Sequence, residues 1–291
     1  MTNDQVVPAR LGMLLVGHGT RDAQGAAEFL ETARLIAAQV PRVAVEPGFL
    51  ELAEPPINDA FERLVERDVC EIIVVPLLLF AAGHAKQDIP REVSNAAIRF
   101  PRLKIRHAEP LGCQEMIVAA SAERFRRVLE ASVLEASVLE ASVLEASDCD
   151  PTTDVAWLMV SRGTSDLSAI AEVRRFARLR RKVTPVASAR TAFMAVAEPS
   201  VAAELEALAR SSYSCIVVQP HLLFHGKLTR DLRTLVRKMQ AECPAKKWLI
   251  ADHLGPCELI AKAAVRRFFE AQASSDQQSP LPIVPLPIVH E

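Results

Sequence analysis

Residues 13–22, MLLVGHGTRD, return as WLMVSRGTSD at residues 157–166, and this echo limits the possible fold more than any other feature of the chain. Leu14, Val16, Gly19, Thr20 and Asp22 match Leu158, Val160, Gly163, Thr164 and Asp166 at a constant offset of 144 residues. The same offset carries Glu28 onto Glu172, Ala53-Glu54-Pro55 onto Ala197-Glu198-Pro199, and Pro76 with Phe80 onto Pro220 with Phe224. One residue is dropped after Phe224, and the register resumes through Leu111-Gly112 and Leu254-Gly255. The 291 residues therefore contain a tandem duplication, each copy of ordinary domain size.

Within a copy, an aliphatic run leads into Gly17-His18-Gly19-Thr20 and then a polar, helix-forming segment, which reads as buried strand, tight turn and helix. Residues 43–50 read as a second strand that delivers Glu51 at its end, followed by a helix over 57–67 entered through prolines. The run 72–80, IIVVPLLLF, is apolar on both faces, as in a central parallel strand, although Pro76 argues that the ladder stops early. A loop over 81–90, a helix over 91–100, a strand over 104–109 and a last helix from Cys113 complete the unit. The order βαβαβαβα, twice over, predicts α/β architecture with two tandem parallel-sheet domains. His18 and His84 then project from strand-to-helix loops at one sheet edge, where such folds bind ligands.

The expected boundaries are 1–127 for the first domain, 128–154 for an extension and linker, 155–273 for the second domain and 274–291 for a proline-rich tail. Residues 128–147 are four copies of VLEAS. A five-residue step turns a helix by about 500°, so identical residues spiral around it without making an apolar stripe. The tail repeats PLPIV and reads as extended, with polyproline II character.

A net charge of −2 gives no basic footprint for nucleic acid, and six cysteines without a CxxC pair argue against a zinc ribbon, an iron–sulfur site or a disulfide framework. The longest apolar run, 72–82, is too short to cross a bilayer, and the N-terminus lacks the pattern of a signal peptide. The expected location is the cytoplasm, with no membrane or nucleic-acid partner.

His18, Glu51 and His84 stand at strand ends in the first copy, where the second has Arg162, Ala195 and Lys227. Both copies have to fold, so folding alone does not explain the loss of all three from one copy. Two neutral imidazoles and a carboxylate can hold a divalent first-row metal, and the same groups accept protons. Thr20 and Asp22 persist in both copies and are assigned to the turn and the helix cap. His107, His221, His225, His253 and His290 are dispersed and read as structural or surface residues, with His225 the one worth following.

GHGTRD, FLELAEPPI and VVPLLLFAAGHAKQDIP resemble the CbiX and SirB type of class II tetrapyrrole chelatases, over nearly all of the first copy. The resemblance implies a class II chelatase-like fold with a cleft between the domains, in which the N-terminal copy carries the active site. It implies insertion of a divalent metal into sirohydrochlorin, for sirohaem or cobalamin, with His18 and His84 handling metal and protons and Glu51 assisting. The metal is then substrate, and no tightly bound cofactor is expected. Lys86, Arg190 and Lys227 are candidates for binding the carboxylates of sirohydrochlorin. The histidine-rich segment and cysteine motif of some long members are missing, which places Fe2+ ahead of Co2+, with Ni2+ a third candidate. A monomer is expected, with hand-off from the preceding tetrapyrrole-pathway enzyme. The alternatives are a metal or tetrapyrrole carrier using the same site, a scaffold protein, and a histidine phosphatase, against which Gly17 stands where that family places arginine.

Overall fold

The structure is a computed structural model that describes residues 10–80, 85–139 and 151–274. Within the first copy come β1 (Leu11–Gly17), α1 (Ala23–Gln39), β2 (Ala44–Phe49), α2 (Ile57–Glu66), β3 (Glu71–Pro76), α3 (Ala85–Ala97), β4 (Lys104–His107) and α4 (Glu115–Leu139). A short helix, α5 (Pro151–Asp154), precedes the second copy, which runs β5 (Val155–Ser161), α6 (Leu167–Val183), β6 (Ser188–Phe193), α7 (Val201–Ala209), β7 (Cys215–Pro220), α8 (Lys227–Glu242), β8 (Lys247–Ile250) and α9 (Glu258–Ala273).

Each copy forms a four-stranded parallel sheet, ordered β2-β1-β3-β4 and β6-β5-β7-β8. The two central strands of each sheet are buried on both faces, which is why they read as nearly unbroken aliphatic runs. β3 ends at Pro76, before Leu77-Leu78-Leu79-Phe80, as its missing N–H requires. The expected start of α3 at residue 91 is corrected to Ala85, with Pro90 inside the helix. The polar run after His84 has helical propensity, and the helix accepts the loss of the single ladder bond that the Pro90 N–H would have made.

The last helix of each copy crosses to the other copy. α4 packs on α6 and β8 of the second copy, whereas α9 packs on α1, β3 and β4 of the first. Lys247 Nζ donates to Ser132 O at 3.0 Å and Arg106 to Gln272 O at 2.9 Å, fastening each crossed helix to its host sheet. The inner faces of both sheets consequently share one core, containing Met13, Ile73, Phe125, Trp157, Phe176 and Phe268. The outer faces keep separate cores beneath α2 and α3 and beneath α7 and α8. A boundary at 127 therefore falls inside α4, which continues into the VLEAS repeats. Val128 and Leu129 pack against the shared core, while Val133 and Leu134 of the next repeat are 62% and 66% exposed, as the five-residue step dictates. Residues 140–150 and the tail 275–291 lie outside the described residues.

Candidate active site in the cleft between the copies

In each sheet the chain turns one way after its first strand and the other way after its third, which makes the gap between those strand ends the switch point. The two switch points face each other and enclose a cavity of about 660 Å³. Gly17, His18, Gly19 and residues 77–80 line it from the first copy; residues 161–165 and 221–225 line it from the second.

Backbone pairing brings His18 and Glu51 together. Glu51 N–H donates to His18 O at 3.1 Å and Leu50 N–H to Gly17 O at 2.9 Å, so the two strand ends continue as one ladder past the sheet. This approach is so tight that a Cβ on Gly19 would lie 1.6 Å from Glu51 O, and Gly19 adopts φ +97°, in the left-handed region. Gly163 repeats the arrangement against Ala195 O, at 1.9 Å and φ +88°. His18 Nδ1 then sits 3.4 Å from Glu51 Oε1 without hydrogen-bond geometry, so this shielded nitrogen has an ionic neighbour but no hydrogen-bond partner. Both side chains remain partly open to solvent, His18 at 38% and Glu51 at 54%. At the mirrored place Arg162 and Ala195 carry neither an imidazole nor a carboxylate, although both line the cavity.

His84 lies outside the described residues. Phe80, before it, lines the cavity, and Lys86, after it, crosses to the other copy. Among the described residues, no group of three or more His, Cys, Asp or Glu is arranged to hold a metal ion.

The expected carboxylate-binding cations separate. Lys86 Nζ donates to Asp166 at 2.7 Å and to Ser168 Oγ at 3.1 Å. Arg190 donates to Glu204 at 3.1 Å and Lys227 to Asp231 at 2.5 Å, and neither lines the cavity. Asp166 caps α6 and Asp22 caps α1, as expected, through backbone N–H groups braced by Thr164 and Thr20. Each cap also accepts a cation from the opposite copy, Lys86 onto Asp166 and Arg230 onto Asp22. Two reciprocal ion pairs thereby bridge the copies beside the cleft. His225 and the N–H of Gly25, with Arg230, hold the Asp22 carboxyl well below the usual carboxylate range. Lys86 and Ser168 do the same for Asp166.

Two of the histidines read as dispersed, His225 and His253, are connected through acidic residues of the first copy. His225 Nδ1–H donates to Asp22 at 3.0 Å, its backbone N–H donates to Glu28 at 2.7 Å, and His253 Nε2–H donates to the same Glu28 oxygen at 2.9 Å. His225 and His253 border a second, open pocket of about 410 Å³ beside the main cavity. His221 differs from both: it is 3% exposed, lies against Phe176 and Phe80 with ring centroids 4.1 and 5.4 Å away, and neither ring nitrogen has a hydrogen-bond partner. Burial pushes its pKa down to about 3. The signal was available in the repeat, where His221 stands at the position of Leu77.

Two crossed parallel α/β domains, with switch points facing across one cavity and a wall histidine backed by a glutamate, define a two-domain protein of the class II chelatase type. The chain belongs to the CbiX family, whose model matches residues 12–128 and 156–271. It is 30% identical over 269 residues to a sirohydrochlorin ferrochelatase from Bacillus subtilis, covering 91% of this chain and 94% of that one. To a sirohydrochlorin cobaltochelatase from Priestia megaterium it is 26% identical over 244 residues, covering 84% and 74%. The solved structure of SirB from Bacillus subtilis with Fe3+ superposes with TM-score 0.76 and 28% identity, covering 92% of this chain and 98% of that one.

Proposed function

We propose that this chain inserts a divalent metal into sirohydrochlorin, with Fe2+ ahead of Co2+ and Ni2+. The observation that carries the reading is the His18–Glu51 pair, 3.4 Å apart, with His18 on the wall of a cavity that both copies close. Insertion forms metal–nitrogen bonds as two pyrrole N–H bonds break, so two protons must find acceptors on the face from which the metal arrives. His18 has a shielded nitrogen with no hydrogen-bond partner, and Glu51 supplies the adjacent charge. His84 is assigned as the second imidazole of the set. A few nitrogen and oxygen ligands hold such a metal loosely enough to release it.

Lys86, Arg190 and Lys227 remain proposed partners of substrate carboxylates. Lys86 has the most direct route, exchanging Asp166 for a carboxylate when the cleft fills. The same reading carries a monomer in the cytoplasm that receives its tetrapyrrole from the preceding enzyme of the pathway. Among the described residues, no helix is long and apolar enough to cross a membrane.

The test is an anaerobic spectrophotometric assay with sirohydrochlorin in excess, offering Fe2+, Co2+ and Ni2+ in turn. Wild type should turn over many times, fastest with Fe2+, and His18→Ala and His84→Ala should each lose roughly a hundredfold or more. A reaction that stops at one equivalent would instead establish the carrier.

A further inference from the structure

The cavity wall exchanges its chemistry between the copies at three mirrored positions. Where the first copy has Gly17, His18 and Leu77, the second has Ser161, Arg162 and His221, and all six residues line the cavity. The backbone around them is the same: Leu77 N–H donates to Val16 O at 2.8 Å and His221 N–H to Val160 O at 2.7 Å. The difference therefore resides in the side chains. Leucine satisfies this place in one copy, so packing does not call for an imidazole in the other.

A buried imidazole without partners is destabilising, because it gives up its bonds to water and receives none in return. Arg162, on the same wall, is exposed and makes no ion pair or hydrogen bond with its side chain among the described residues. Ser161 is buried and adds a hydroxyl. A neutral imidazole N–H, a guanidinium and a hydroxyl are all donors, and their common partner is a carboxylate.

We propose that Ser161, Arg162 and His221 form a carboxylate-binding subsite by which the second copy holds the tetrapyrrole while the first copy handles the metal. The subsite rests on the chelatase reading above. It gives the second copy a role of its own: orienting the macrocycle so that its open face meets His18 and Glu51. Burial keeps the His221 ring neutral, so it donates one hydrogen bond without carrying a charge of its own into the wall.

The experiment is equilibrium binding of sirohydrochlorin to the full chain without metal, followed by absorbance, and then metal insertion under the same conditions. Arg162→Leu and His221→Leu should each weaken binding about tenfold, the value of one hydrogen bond to a charged group. His221→Leu should at the same time raise the melting temperature, because the orphaned ring is gone. His221→Gln and Arg162→Lys should restore part of the affinity. The methyl-esterified tetrapyrrole should bind wild type and the two leucine variants equally weakly. Unchanged affinity for the free acid in both leucine variants would overturn the subsite, as would a wild type that binds acid and ester alike or neither. Tight binding without metal insertion would count against the chelatase reading instead, and the variants would still decide the subsite.

Discussion

At the scale of single residues, His221 can be measured before any substrate is in hand. Its pKa is pushed down to about 3 by burial, against an ordinary value near 6.5. Between those limits the unfolded chain binds a proton that the folded chain refuses, so stability is fully present above about pH 6.5 and declines as pH falls towards 3. Urea midpoints at pH 7 and pH 4.5 should therefore drop more for wild type than for His221→Leu; equal drops would mean that the ring is not buried in solution. His18 and Glu51 were legible in the sequence because the repeat offered a copy without them. His221 was equally visible in that register, as a replacement of Leu77, but a gained histidine draws less notice than a lost one, and its burial is a property of the packed cleft.

At the scale of elements, the strand–turn–helix unit depends on Gly19. Its positive φ and the 1.6 Å that would separate a Cβ from Glu51 O leave no room for a side chain, and the obstacle is backbone. Gly19→Ala should cost roughly 2–4 kcal/mol by denaturant titration and displace Glu51 from His18, so that activity falls with stability. The VLEAS helix gives the opposite case. Leu134→Lys, on the exposed turn, should change stability by no more than about 0.5 kcal/mol, whereas Leu129→Lys, against the shared core, should be clearly destabilising. In the sequence Pro90 marks a boundary and places the helix start at 91, whereas α3 begins at Ala85 and runs through the proline at the loss of one ladder bond.

At the scale of the whole molecule, α4 and α9 cross between the copies and merge the inner faces of both sheets into one core. Calorimetry should accordingly show a single cooperative transition for residues 10–274. A fragment ending at residue 127 should be insoluble or molten, since it lacks α9 over the inner face of its own sheet and exposes the face of α4 that belongs to the other. Two resolved transitions, or a folded fragment, would contradict the shared core. The reciprocal pairs Lys86–Asp166 and Arg230–Asp22 belong to this scale as well. Both carboxyls are held below the usual range, so their contribution is present above about pH 4 and is lost as pH falls further.

By itself the sequence determined the duplication, the strand and helix order, the parallel sheets and the edge at which His18 and Glu51 emerge. Those features follow from local periodicity and from a register that can be counted along the chain. Only the tertiary structure decided which helix covers which sheet, which aspartate meets which cation, and that His221 packs against Phe80 and Phe176 at the cavity wall. The physical reason is that an apolar helix face carries no address. The inner faces of the two sheets offer similar aliphatic surfaces, so the choice between them is made by the packing of the whole molecule.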